Sequence, residues 1–421
     1  MSSIASATSA PAPMATGYSR REQRSDTLAM LSFVLLFPAF FYYQSAVAVG
    51  FVSNFLGGYF TAGAAVTLPL LLAALSSAPY LRKISSSAPT TLFAAFMVIF
   101  GGYVVVGGLT GANPEITSTY FAYLFKFTAI FLTATLVNGQ SPSFQRLCQL
   151  LFLGVVVTAL TTAADGKFLA AAITSALGGD FFLDYQGLAY AYIVMLIFAA
   201  PSLKYMLRLC LYAASVVALF LIGARSEFAG FIVIALVIEF CKARSRPRFV
   251  LTLGIMAGVA ALAFVQLADT FADHRIFALL EVDADQSVIE RNDLQEDAVA
   301  TIEQNPIFGK YASYEQGHYA HNILSAWVDF GLLGFLILAG FLATMLGTQL
   351  RMFRTHARHD LYVQSLACTV FTVLLMLVAK HYTYQMIPVA AGLAYRLHCK
   401  LRAPRADNPS AEAGLRGSNP S

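Results

Sequence analysis

The side chains able to do chemistry in this 421-residue chain are few, and most are gathered late. Arg291, His318 and the pair His321-Asn322 stand within Ser287–Gly334, the largest polar interruption in a very apolar sequence. Earlier, GARSEFAG sets Arg225 at the tight turn between two apolar runs, and later Lys380-His381 occupies another such turn. Lys126 lies inside an apolar run. A guanidinium is a permanently charged fork suited to oxyanions. An imidazole titrates near working pH and can accept or deliver a proton. A lysine in mid-membrane costs about 2.5–3.5 kcal/mol, so Lys126 must face the protein interior or a wet cavity. Each group also has a plainer use: a surface ion pair for the arginines, a helix cap for the histidines, an interhelical pair for Lys126. The acidic run Glu281–Asp285 is more readily a solvated turn than a cation site, and no metal is assigned.

The elements that must position these groups are membrane helices. The chain is 58% hydrophobic and only 12% charged, with a mean hydropathy of +0.66. A soluble domain carries about 25% charged residues, so there is too little charge to coat a water-facing surface. An all-α polytopic membrane protein follows, with the lipid bilayer as its first partner. The net charge of +4 is small, and no nucleic-acid partner is expected. The five cysteines, Cys148, Cys210, Cys241, Cys368 and Cys399, lie in or beside apolar runs and form no disulfide framework or CxxC pair.

Spans need roughly 17–25 mostly apolar residues. Twelve are expected, near 28–43, 58–76, 88–109, 118–137, 147–164, 186–200, 208–223, 227–241, 249–268, 323–347, 361–379 and 383–397. The organisation is then a disordered tail over 1–27, spans 1–9 over 28–268, a large loop over 269–322, spans 10–12 over 323–397 and a second disordered tail over 398–421. Lysine and arginine bias sets the orientation. With strict alternation, only Lys167, Arg225, Arg275, Arg291, Lys310 and Lys380 fall on one side, and Lys126 lies within a span. The remaining basic residues gather on the other side, which is therefore cytoplasmic together with both termini. The large loop, the Arg225 turn and the Lys380-His381 turn share the extracytoplasmic face.

Within the loop, Ser287 and Glu290 fit a capping box. Ile289, Leu294, Ala298 and Ile302 follow at helical spacing, and Asn305-Pro306 stops the run. The expectation is an amphipathic helix on the membrane surface with Arg291 in its first turn. From Gln266 to Asn322 the loop carries eleven acidic side chains against Arg275, Arg291 and Lys310. Any anion site there must therefore be local.

Arg291, then IEQNPIFGKY, then HNILSAWVDFGLLG, together with the earlier GARSEFAG, resembles the O-antigen ligase and polymerase superfamily of bacterial envelope glycosyltransferases. Arg291, Pro306, Gly309, His321, Asn322, Leu324, Asp329, Gly331 and Gly334 occupy the family's pattern, and Arg225 its small-residue-Arg motif. The resemblance covers roughly residues 180–350. It implies a glycan donor on undecaprenyl diphosphate at the outer face of a bacterial inner membrane, and no cofactor. Arg225 and Arg291 would hold the diphosphate, and His321 would act as base in an inverting transfer to an acceptor hydroxyl. Asn322, Lys126, His318, Lys380 and His381 are candidate substrate-binding groups. A ligase, moving polymer onto lipid A–core, is favoured over a polymerase extending a growing glycan. A transporter of lipid-linked sugar and an envelope scaffold are the rivals.

Overall fold

The computed structural model describes residues 20–48, 51–52, 59–77, 87–164, 167–168, 184–243, 245–268, 286–315 and 317–402. Fourteen helices order the described chain. They are α1 (Arg20–Leu36), α2 (Pro38–Ala48), α3 (Tyr59–Ser76), α4 (Ala88–Thr110), α5 (Pro114–Leu136), α6 (Pro142–Thr161) and α7 (Tyr185–Ala199). There follow α8 (Tyr205–Ile222), α9 (Arg225–Lys242), α10 (Arg246–Ala268), α11 (Gln286–Gln304), α12 (Leu324–His356), α13 (Asp360–Val378) and α14 (Met386–Arg402). Apart from these, Ala163–Ala164 and Lys167–Phe168 form a two-residue antiparallel ladder.

The twelve expected spans all fall on helices, and the all-helical membrane architecture holds. Among the described residues, nine segments are long and apolar enough to cross a membrane, with α1 and α2 counted together. The other three expected spans correspond to α9, α10 and α14. α9 carries Glu227, Glu239 and Lys242, each engaged by a partner from another helix or turn. These charges interrupt the apolar run of α9, and the fold satisfies each of them. Helix extends beyond the expected spans at both ends: α1 begins at Arg20 and α14 runs to Arg402. Residues 1–19 and 403–421, and the Glu281–Asp285 run, lie outside the described residues.

The most enclosed helix is α7, in which Leu188 through Ala199 are all buried. It is apolar on every face, as a helix surrounded by other helices must be. Around it α6, α9 and α13 close the bundle, while α4 packs on α12 and α5 on α14. Leucines and valines on the outer faces, such as Leu109, Leu150 and Leu333, stay exposed and suit a lipid surround. One end of the bundle is tied by polar contacts. Arg396 donates to the carbonyls of Thr135 and Leu136 at 2.9 and 2.8 Å, supplying donors to the open end of α5. The buried Arg208–Glu239 pair and the Lys242–Asp360 pair close the same end.

At the opposite end the chain crosses itself tightly. α12 breaks at Gly331, where φ is +65° and ψ −168°. Into that break fits the Pro306–Lys310 turn. Lys310 N–H donates to the Val328 carbonyl at 2.6 Å, Leu332 N–H to the Pro306 carbonyl at 3.0 Å, and Trp327 Nε1–H to the same carbonyl at 2.9 Å. A Cβ on Gly331 would lie 2.0 Å from the Ile307 carbonyl oxygen, and one on Gly309 2.5 Å from the Gly331 nitrogen. Both glycines also have positive φ. The Pro-x-x-Gly and spaced-glycine motifs therefore build a joint between loop and membrane helix. Gly331→Ala is expected to destabilise the protein by at least about 1–3 kcal/mol, read as a lower Tm in detergent. Gly347→Ala in the same helix has open space around it and should hold or raise Tm; equal losses at both positions would refute the joint.

Candidate functional site

The joint fixes where the loop's head sits. α11 runs from Gln286 to Gln304 and stops at Asn305-Pro306 as the sequence indicates. Gln286, the first described residue of this segment, is already helical, so the capping box expected at Ser287 falls at the edge of the described residues, and Arg291 lies in an early turn of α11. Its apolar stripe is not laid on lipid. Ala298 is buried with Ala320 and Val328, and Ile302 and Tyr314 pack on that cluster. The helix is thus held at the mouth of the bundle, where Arg291, though exposed, lines the cavity below.

A cavity of about 180 Å3 lies beneath, lined by groups from separate segments. Arg291 comes from α11, Tyr319 and His321 from the strand of chain before α12, and Lys380 and His381 from the turn between α13 and α14. Ser226 and Glu227 at the head of α9, and Asp184 and Gln186 at the head of α7, complete the opposite wall. Lys380, only 7% exposed, places Nζ 2.7 Å from Glu227 Oε1 and 2.9 Å from Gln186 Oε1. Ser226 Oγ–H donates to Glu227 Oε2 at 2.8 Å. Asp184 accepts from Gly187 N–H at 2.7 Å and so caps α7.

His321 is half-buried. Burial, with the adjacent Arg291 and Lys380 charges, pushes its imidazole down to about 4, so it is neutral at neutral pH. His381 is buried; burial, and then the His321 charge, holds its imidazole well below the ordinary value. Arg291, His321, Lys380 and His381, far apart in sequence, therefore share one cavity. Two of its cations stand beside two carboxylates, which gives a bipolar pocket and not a purely basic one.

The remaining sequence candidates sit elsewhere. Arg225 begins α9, half-buried and one residue before the wall formed by Ser226 and Glu227, but does not itself line the cavity. Lys126 is one layer back, with Nζ 4.5 Å from the ring centroid of the lining residue Tyr123. Asn322 accepts from Leu324 N–H at 2.9 Å and donates to Gln295 Oε1 at 3.4 Å. Its amide is thus engaged at the start of α12 and towards α11, and it does not line the cavity. His318 also stands outside the cavity lining: its side chain is 64% exposed, and Nδ1 lies 3.5 Å from Glu315 Oε2. Sequence reasoning missed Asp184, Gln186, Glu227 and Tyr319. Glu227 stands inside GARSEFAG and Tyr319 inside GHYAHN, so both were in quoted motifs; Asp184 and Gln186 carried no local signal. No group of three or more His, Cys, Asp or Glu arranged to hold a metal occurs among the described residues.

The buried Lys380–Glu227 pair yields a direct expectation. Removing one partner from such a pair costs about 3–5 kcal/mol, because the other charge stays buried and unpaired. Glu227→Gln and Lys380→Met should each lower Tm strongly, and the double variant should recover part of the loss in a double-mutant cycle. Strictly additive losses would show that the pair is not coupled.

Residues 209–339 match the family model described as O-Antigen ligase. The match runs from α8 through the broken first part of α12, taking in Arg225, Arg291 and His321 and ending before Lys380. No curated protein matches the chain. This multi-pass membrane protein thus carries, over residues 209–339, a segment that matches the O-antigen ligase family, in line with the resemblance read from its motifs.

Proposed function

We propose that the protein is an inverting glycosyltransferase that moves a glycan from undecaprenyl diphosphate to an acceptor hydroxyl on the outer face of the bacterial inner membrane. The observation that carries this reading is the meeting of Arg291, Lys380 and a neutral His321 around one cavity. Lysine and arginine bias puts that face of the bundle outside the cytoplasm, with both termini inside. There nucleotide sugars are not at hand, so the donor must bring its own leaving group. A lipid diphosphate does so, and charge develops on it as the glycosidic C–O bond breaks.

Arg291 and Lys380 meet that diphosphate, and Arg225, beside the wall, is assigned an outer phosphate contact. Lys126, behind Tyr123, is assigned a role nearer the lipid. His321 takes the proton of the acceptor hydroxyl as its oxygen attacks the anomeric carbon from the face opposite the diphosphate. The bond to the lipid diphosphate then breaks with inversion, and the lipid diphosphate leaves with the electron pair. The free enzyme's His321 is a weak base because it is half-buried and because two cations face it. A bound diphosphate offsets those charges and raises the imidazole towards its ordinary range of about 6.5. The donor thereby prepares the base that its own transfer requires.

The sign of the pH dependence follows. kcat/KM, which reports the free enzyme, should hold as pH falls through 6.5 and decline only near 4. The acid limb of kcat, which reports the occupied site, should lie at higher pH. His321→Gln should abolish both limbs and lower kcat by about 10²–10⁴-fold. Acid limbs at the same pH in both profiles would reject the substrate-raised base.

Within the superfamily, the well-formed His321-Asn322 pair at the end of the loop favours the ligase, with lipid A–core as acceptor, over the polymerase. Deleting the gene and resolving lipopolysaccharide on a gel tests this. Core without polymer is expected, and His321→Ala should fail to restore the ladder. Core bearing one repeat unit would instead establish the polymerase, and an unchanged gel would overturn a role in this polymer.

A further inference from the structure

Behind the cavity lies a hydrogen-bonded network that the transfer chemistry does not use. Asp329, fully buried in the first part of α12, accepts Ala312 N–H on Oδ1 at 3.0 Å. Its Oδ2 accepts the hydroxyls of Tyr314 at 2.6 Å and Tyr382 at 2.5 Å. The Tyr314 proton is committed to Asp329, so the Tyr314 oxygen must accept from its neighbours. Tyr120 supplies one such contact through its hydroxyl. His381 Nε2 faces both hydroxyls, 3.4 Å from Tyr314 and 3.5 Å from Tyr120.

The other face of His381 determines its tautomer. Nδ1 receives Thr383 N–H at 3.3 Å and lies 2.9 Å from Thr383 Oγ1. A backbone N–H can only donate, so Nδ1 is the acceptor and the single proton of the neutral ring sits on Nε2. That proton points at the tyrosines. Both nitrogens are thus occupied within the protein, and only the ring face is left for the cavity. The Tyr319 ring lies on that side, its centroid 4.3 Å from that of His381 and 5.0 Å from that of His321.

We infer that His381 is a positioning residue: Asp329 and its tyrosines lock the His381 ring, His381 backs Tyr319, and Tyr319 sets the orientation of the His321 imidazole. The inference rests on the proposed transfer reaction for its kinetic consequence but not for its geometry. It reassigns His381 from substrate contact to support, and gives Asp329, Tyr314 and Tyr319 a shared task. Neither imidazole nitrogen of His381 is available as a second base. A base packed against tilted rings that are themselves held is limited to a narrow set of angles, which proton transfer in the transition state demands.

The test uses the full-length protein in lipid nanodiscs with 15N-labelled histidine. His381, assigned by its loss in His381→Gln, should be a neutral imidazole with its proton on Nε2 between pH 5 and pH 8. In Tyr319→Leu the His321 resonances should shift, and Tyr319→Phe, which restores the ring, should return them. With undecaprenyl-diphosphate glycan and acceptor, Tyr319→Leu should lower kcat by about 10–100-fold at unchanged donor KM, and Tyr319→Phe should rescue it. A proton on Nδ1, a charged His381, or His321 resonances indifferent to Tyr319→Leu would overturn the inference. So would a raised donor KM at unchanged kcat, which would make Tyr319 a binding group. If wild-type protein transfers no glycan, the transfer reading fails, and the resonances still decide the positioning.

Discussion

The contact between the Pro306–Lys310 turn and the break in α12 is the constraint on which the site depends. Two backbones approach so closely at Gly309 and Gly331 that neither position admits a Cβ. The approach stops the membrane helix from running straight, and three hydrogen bonds to Pro306 and Val328 hold the turn in the gap. Tyr103 adds a fourth tie, donating to the Phe308 carbonyl at 2.8 Å from α4. With the turn pinned, α11 before it and the GHYAHN stretch after it have little choice of position. Arg291 and His321 then arrive at the bundle mouth from opposite sides of one joint.

The electrostatics of the pocket follow from scarcity of charge. In a chain with so few charged residues, the ones at this mouth are arranged against each other. Glu227 holds Lys380, Asp184 is spent on the head of α7, and burial, reinforced by the two nearby cations, keeps His321 neutral. A loop with an excess of acidic residues would repel an anion in bulk, yet α11 turns its acidic residues outward, with Asp293, Glu296 and Asp297 exposed. The pocket itself sets Arg291 and Lys380 among Asp184 and Glu227, so its charges of both signs are local to it. Such a site favours a ligand that is anionic at one end and rich in hydroxyls at the other.

How much of this was legible in the sequence depended on the range of the interaction. Helix existence was, because apolar runs of span length admit few other structures in lipid. The end of α11 at Asn305-Pro306 was also readable, since proline acts locally. The motifs themselves were visible, but their division of labour was not. Gly309 and Gly331 serve a backbone crossing whose partner lies over twenty residues away. Asn322, next to His321, caps a helix. Glu227 pairs with Lys380 across more than 150 residues, and no local pattern announces that. The face on which α11 rests could not be read either, because a stripe of Leu294, Ala298 and Ile302 fits lipid and protein equally well.

The most direct measurement of the central claim is made on purified protein given an undecaprenyl-diphosphate glycan and a lipid A–core acceptor, with the product linkage read by NMR. The account predicts a new glycosidic bond of inverted anomeric configuration and stoichiometric release of undecaprenyl diphosphate, both lost in His321→Ala. A retained configuration, or undiminished transfer by His321→Ala, would contradict it.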